Sequence, residues 1–232
     1  MNLEAKNITV SFGGVTVLSD VSHAFREGKV TVILGPNGCG KTTLIKALVK
    51  CFAKTGELAY IPQEMYGDVG LTVRDLVALG RYDSSRFFLN ESEEDRKHIN
   101  EALDLMELTD KKDRIYDTLS GGEKQRCMAA RAICQDASWF IMDEPNSNLD
   151  IVHSKHILTT CRKLADEEGK SFILVMHDVN EASRYADEFV LMKDGKIVDT
   201  CDKLTPSLLA GVFDTGFDSV VTSSGKTLFY TD

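Results

Sequence analysis

The sequence predicts an α/β fold with a largely parallel sheet covered by helices on both faces, and three observations lead there. The runs Val30–Leu34, Trp139–Met142 and Phe172–Met176 have strand length and are almost wholly apolar, as strands buried on both faces are. Helical segments alternate with these runs, which is the order of β/α units. Between about residues 72 and 135 helical periodicity continues almost throughout, so a helical lobe interrupts that order.

Each element has a local reason. Ile8–Phe12 reads as a strand, Gly13-Gly14 as a turn and Thr16–Leu18 as a returning strand. Val30–Leu34 is a buried strand, followed by a glycine-punctuated loop. A helix then runs from Thr42 to about Cys51 with Leu44, Ile45, Ala47 and Leu48 on its apolar side. In the helical lobe Thr72 caps one helix. Ser92 caps another, with Asp95 three residues on as a capping-box variant and Ile99, Ala102, Leu103 and Met106 facing inward. Trp139–Met142 is a strand, about 154–168 a helix, 171–176 a strand and about 179–186 a helix. Glu188–Lys193, Asp194-Gly195 and Lys196–Thr200 form a hairpin, because Asp-Gly between apolar runs favours one. Thr205-Pro206 opens a short helix as cap and first-turn proline. About 211–232 is too short for a regulatory domain and carries no assigned chemistry.

Composition narrows the class. At 232 residues, 43% hydrophobic and 27% charged, the chain can bury a core without staples. A formal net charge of −9 without a Lys/Arg run argues against a nucleic-acid partner. The six cysteines form no C-x-x-C pair, so reduced structural thiols are expected. No apolar run approaches the roughly 20 residues of a membrane helix, so any work at a membrane is done from outside it.

Gly35-Pro36-Asn37-Gly38-Cys39-Gly40-Lys41-Thr42 fits G-x-x-x-x-G-K-[ST] and stands between a buried strand and a helix. Glycines let backbone N–H groups turn inward around phosphate oxygens, and the helix N-terminus adds positive partial charge. Lys41 would reach the β- and γ-phosphates, and the Thr42 hydroxyl would ligate Mg²⁺. Chance gives the bare pattern in about 1% of chains of this length, and the strand–loop–helix context makes it rarer. Ser224-Gly225-Lys226-Thr227 mimics its end but has Val220 where the leading glycine belongs, so it is set aside.

Trp139–Met142 ends in Asp143-Glu144-Pro145, two carboxylates at the C-terminal end of a buried strand, where ligands bind in open α/β sheets. Asp143 is placed to hold Mg²⁺ through water, and Glu144 to take a proton from an attacking water. A solvated turn is the bland alternative. Leu119-Ser120-Gly121-Gly122-Glu123-Lys124-Gln125-Arg126 could be an ordinary helix N-cap, and it would also be an anion-binding helix start.

With the P-loop and the Asp-Glu pair, that last segment resembles the signature motif of ATP-binding-cassette ATPases. The resemblance covers essentially the whole chain and implies a P-loop NTPase core with an antiparallel β-lobe and an inserted α-helical lobe. In family terms the chain is one domain. Core and β-lobe take about 1–65 and 137–210, the helical lobe about 66–136, and a short tail 211–232. Phe12 stands where the family stacks an aromatic ring on adenine; a core strand residue is the alternative. Gln63 resembles the Q-loop glutamine near Mg²⁺ and the attacking water, Asn146–Asp150 the D-loop, and His177 the switch histidine at the γ-phosphate. The resemblance implies nucleotide contacts from Phe12, Gly35, Asn37, Gly38, Cys39, Gly40, Lys41, Thr42 and Thr43. Metal contacts would come from Thr42, Gln63 and Asp143, and catalysis from Glu144, His177, Gln63 and Lys41. Two copies would pack head to tail, so that Ser120, Gly122 and Asp150 act across the interface on ATP bound by the other.

Some positions depart from the family pattern. Phe12 replaces the usual tyrosine, Asn146 stands where Thr or Ser is usual, and the Lys41–Gln63 spacing is short enough for part of the β-lobe to be missing. Cys39, near a helix N-terminus, invites a lowered thiol pKa and redox sensitivity. His153 and His156 have a chelating spacing, with a solvated face as the alternative. Glu91, Glu93, Glu94 and Asp95 supply favourable charge at a helix start.

Leu71-Thr72-Val73-Arg74-Asp75-Leu76-Val77-Ala78-Leu79-Gly80-Arg81-Tyr82, Leu149–His153, His177–Ala182 and Arg184–Asp187 look like the ATPases of iron–siderophore, haem or cobalamin importers. That class implies ATP and Mg²⁺, two separate permease subunits, an extracytoplasmic substrate-binding protein, and a peripheral place on the cytoplasmic face of the cell membrane. Ferric siderophore is the expected cargo. Two rivals stay open from sequence: a soluble cassette ATPase of iron–sulfur assembly, and a nucleotide-dependent interaction module without turnover.

Overall fold

The structure is a computed structural model that describes residues 3–52, 56–63, 70–81, 91–145 and 151–231, with backbone alone for 151–153. Its frame is a six-stranded sheet. β3 (Val30–Leu34), β5 (Trp139–Asp143) and β6 (Ser171–Val175) are buried along their whole lengths, as their apolar runs predict. With β4 (Leu58–Ile61), β7 (Glu188–Lys193) and β8 (Lys196–Cys201) they lie in the order β4-β5-β6-β3-β7-β8. All neighbours are parallel except the β7–β8 hairpin. Asp194 and Gly195 at its tip both have positive φ, 47° and 73°, the conformation Asp-Gly supplies for a tight hairpin turn.

Alternate residues of β5 feed two cores. Trp139 and Ile141 pack with Leu44, Ile45 and Leu48 of α1 (Lys41–Phe52), and Phe140 and Met142 join the core on the opposite face. The Phe140 and Phe172 rings stack with centroids 4.9 Å apart. That second core continues into the helical lobe through Leu76 of α2 (Val73–Ala78), Ile99 and Leu103 of α3 (Glu93–Leu105) and Met128 of α4 (Gly121–Cys134). Both expected caps form. The Thr72 hydroxyl accepts from the Asp75 N–H, and Ser92 and Asp95 make a reciprocal capping box. The acidic helix start is also paired: Glu91 with Arg74 at 2.5 Å and Asp95 with Arg81 at 3.0 Å.

The antiparallel sheet is β1 (Glu4–Phe12) against β2 (Val15–Ala24), joined at Gly13-Gly14. α5 (Ile151–Glu168) starts a little earlier than its apolar pattern suggests, and α6 (Val179–Tyr185) follows β6. α7 (Pro206–Phe213) is capped by Thr205 with the proline in its first turn. The segment without assigned chemistry holds a further hairpin, β9 (Asp218–Val221) with β10 (Thr227–Tyr230), whose turn contains the P-loop mimic. No helix among the described residues is long and apolar enough to cross a membrane.

Candidate nucleotide site

Three adjacent strand ends assemble the site. The glycine loop follows β3, the Asp-Glu pair ends β5, and His177 follows β6 between them. The loop needs its glycines for space. A Cβ at Gly35 would stand 2.2 Å from the Met192 carbonyl oxygen, and one at Gly40, where φ is +102°, would stand 2.7 Å from a Leu18 methyl. The tip of the β7–β8 hairpin braces the loop, with the Gly195 N–H donating to the Cys39 carbonyl at 3.1 Å.

Lys41 is only 6% exposed, and its ammonium donates to the carbonyls of Gly35 (2.8 Å) and Pro36 (3.0 Å). A fixed positive charge thus stands inside the loop that would wrap phosphate. A cavity of about 170 Å³ opens there, lined by Val17, Asn37, Gly38, Gly40, Lys41, Thr42, Thr43, Glu144 and His177. Phe12 lies at the end of β1 and is 63% exposed, which rules out the core-residue alternative and leaves its ring free to stack.

The Thr42 hydroxyl donates to an Asp143 carboxylate oxygen at 3.3 Å. Burial raises the pKa of Asp143, and the Thr42 hydrogen bond opposes that shift. Beside it the Tyr60 hydroxyl is buried without a hydrogen-bond partner among the described residues, and burial pushes its pKa up to about 12 with help from the Asp143 charge. Hard oxygen donors and spare polar capacity fit a hydrated Mg²⁺. No group of three or more His, Cys, Asp or Glu among the described residues could hold a metal. An ion here would therefore depend on Thr42, Asp143 and Gln63 together with water and ligand phosphates.

Glu144 is the junction of the site. One carboxylate oxygen accepts from Gln63 Nε2 at 2.7 Å and the other lies 2.5 Å from His177 Nε2. Its backbone is left-handed at φ +52°, and its N–H donates to the Val175 carbonyl at 3.1 Å. Such a conformation costs a non-glycine residue about 1–2 kcal/mol and collects at working sites. Gln125 of α4, 7% exposed, donates to the Pro145 carbonyl at 2.6 Å and to the Glu144 carbonyl at 3.4 Å. Val17 and Tyr60 were not singled out from sequence, and Gln125 and Gly195 were read only as parts of the signature segment and of a hairpin turn, without a role at this site. Each works through a contact with a distant segment, which local pattern does not reveal.

Ser120 caps α4, and the Glu123 carboxylate returns to the Ser120 N–H at 2.9 Å. That backbone hydrogen bond holds the Glu123 pKa down to about 2, with Lys111 at 3.2 Å assisting. Ser120 is exposed, and neither it nor Gly122 lines the cavity. Asp150, with the rest of Asn146–Asp150, lies outside the described residues.

One expectation, at Cys39, is corrected, and one, the His153–His156 pair, falls partly outside the described residues. Burial raises the Cys39 pKa, more than Lys41 lowers it, and a Cβ at Gly35 would meet its sulfur at 2.9 Å. The thiol is packed into the core, so helix-terminus activation does not operate. His156 contacts the Leu105 carbonyl at 2.9 Å and pairs with Glu107 at 3.7 Å, and the His153 side chain lies outside the described residues.

A family profile described as ABC transporter matches residues 18–147, over half the chain and including the glycine loop, the signature segment and the Asp-Glu pair. The chain belongs to the ABC transporter family. It is 37% identical over 216 residues to the petrobactin import ATP-binding protein YclP of Bacillus subtilis (strain 168), covering 84% of this chain and 85% of that one. It is 33% identical to the ferric enterobactin transport ATP-binding protein FepC of Escherichia coli (strain K12), covering 84% and 80%. With the hemin import ATP-binding protein HmuV of Vibrio anguillarum the identity is 35%, covering 86% and 84%. The fold matches a chain of an ABC transporter solved in an inward-facing conformation (TM-score 0.83, 22% identity, 100% and 97% covered). It also matches a dimeric ATP-binding cassette bound to ADP and Pi (TM-score 0.75, 24% identity, 88% and 100% covered). This ABC protein is an ATPase, and its α/β core with an antiparallel β-sheet and helices is that of the family's cassettes.

Proposed function

We propose that this ABC ATPase powers uptake of a ferric siderophore through two separate permease subunits, from the cytoplasmic face of the cell membrane. The observation that carries its chemistry is the Glu144 carboxylate, held between Gln63 and His177 beside the glycine loop. ATP would lay its adenine on Phe12 and its phosphates along Gly35, Asn37, Gly38, the Cys39 backbone, Gly40 and Thr43, with Lys41 turning its charge toward the β- and γ-oxygens. Thr42, Asp143 and Gln63 would hold Mg²⁺, which supplies charge neutralisation on the phosphates.

Glu144 accepts a proton from the water whose oxygen bonds the γ-phosphorus, as the bond to the ADP oxygen breaks. His177 moves from the Glu144 carboxylate to a γ-phosphate oxygen, and Gln63 positions the water. ADP and phosphate are the products. Ser120 is exposed, Gly122 is half-buried, and neither lines its own cavity, which supports their acting on nucleotide in a second, head-to-tail copy together with Asp150. The names of the relatives support an importer of iron chelate, and an extracytoplasmic binding protein would select the cargo.

The test is affinity purification of the chain from detergent extracts, followed by reconstitution with whatever membrane subunits accompany it. A multi-span permease that moves a ferric siderophore on ATP addition is the expected result. Soluble assembly factors in its place, or transport of haem or cobalamin alone, would overturn the proposal.

A further inference from the structure

A second cleft lies where the β9–β10 hairpin folds back on α6 and on the connection between β8 and α7. Its volume is about 330 Å³, larger than the cavity at the glycine loop. Phe189, Leu204 and Phe229, all buried, give it apolar walls. Three cations from three segments line it: Arg184 in the last turn of α6, Lys203 after β8, and Lys226 in the hairpin. Among the described residues none of their side chains has an ion pair or hydrogen bond. The one carboxylate lining the cleft among the described residues, Asp202, is drawn to Arg26 at 2.8 Å. In a chain of net charge −9 this is a local reversal of sign.

We propose that this cleft binds a small oxyanion carrying two or more negative charges. Unpaired guanidinium and ammonium groups around apolar walls focus a positive field and offer charge-assisted hydrogen bonds from several directions. The hairpin is already keyed to α6. The Asn180 amide donates to the Phe229 carbonyl at 2.9 Å and accepts from the Phe229 N–H at 2.7 Å. An anion bridging Arg184 and Lys226 ties the same two elements a second time, at the far end of the helix that begins just after His177. Lys226 belongs to the Ser-Gly-Lys-Thr sequence set aside as a phosphate loop. It returns here through tertiary placement and not through motif. The cleft stands independently of cargo and of ATP turnover.

The test titrates the ¹⁵N-labelled full chain with pyrophosphate, and separately with citrate, at constant ionic strength. Amide signals of 225–229 report the cleft, and those of 35–43 report the nucleotide site. Saturable shifts at 225–229 are expected, with affinity at least tenfold weaker in the double variant Arg184→Ala/Lys226→Ala. Lys203→Glu, reversing a charge on the third segment, should weaken binding independently and guards against a misfolded double variant. Binding of pyrophosphate alone identifies a phosphoryl ligand, citrate alone a carboxylate one, and both a site selecting on charge. No saturable shift with either probe, shifts confined to 35–43, or shifts unchanged in these variants would overturn the proposal.

Discussion

The proposed mechanism gives the Glu144 side chain the role of base while its backbone is in an unfavourable left-handed conformation, so its substitutions must be chosen to separate the two. Glu144→Gln keeps the size and the φ +52° demand while removing the base. Hydrolysis should fall about 10²–10⁴-fold, the usual value of a positioned general base, with ATP binding retained and a closed dimer accumulating. A variant still monomeric at saturating Mg-ATP, by size-exclusion chromatography, would count against this mechanism. Lys41→Ala should instead weaken ATP binding in calorimetry. It should also lower stability by about 2 kcal/mol, since two hydrogen bonds from a charged group are lost. Gln125→Met retains bulk but cannot donate to the Glu144–Pro145 backbone. A loss of roughly one net hydrogen bond from the reactive geometry predicts about a tenfold lower kcat with KM for ATP unchanged. A raised KM with unaltered kcat would show that Gln125 only supports binding. The placement of Lys41, Thr42, Asp143 and Glu144 at one site was legible in the sequence because the motifs that carry them have a fixed local order. Gln125 was not, because its partners lie about 20 residues away across a fold boundary.

At the scale of elements, the capping residues were readable for the same reason. Thr72, Ser92 and Thr205 each bond a backbone N–H within three residues, so their roles are written locally. β4 and the β9–β10 hairpin were not read, being four-residue strands defined by the neighbour they pair with. The α4 cap permits a direct measurement. Ser120→Ala should destabilise the protein by about 1 kcal/mol in denaturant unfolding. The acid limb follows from signs. Asp95 and Glu123 are held down to about 2, Asp95 by the Ser92 hydroxyl and Glu123 by the Ser120 N–H. Both carboxylates bind fewer protons folded than unfolded at pH 2–4. Their contribution is complete above about pH 4.5 and is lost as pH falls toward 2. Glu123→Gln should flatten that limb; an unchanged acid unfolding profile would remove the α4 box from the account.

For the molecule as a whole, nucleotide should act as a stabiliser as well as a substrate. In the Glu144→Gln background, ATP at a hundred times its Kd should add about 2.7 kcal/mol, or roughly 5–10 °C in Tm for a chain of this size. If Thr42 and Asp143 hold Mg²⁺, EDTA should remove most of that shift, and a shift indifferent to EDTA would argue against a metal there. The buried Asp143, whose pKa is raised, gives a direction: Mg²⁺ should bind more weakly as pH falls and protons compete for the carboxylate. The sheet order has a last consequence, for biogenesis. β3 carries the glycine loop, yet both of its neighbours come from much later in the chain; Thr31 is bonded to Glu188, 157 residues away. A chain emerging from the ribosome can build its helical lobe early, but it has no walls for the phosphate loop until β6 and β7 arrive. Stalled nascent chains ending before residue 170 should therefore not be retained on immobilised ATP. Chains with residues 1–193 clear of the exit tunnel should be the first with the sheet around that loop complete.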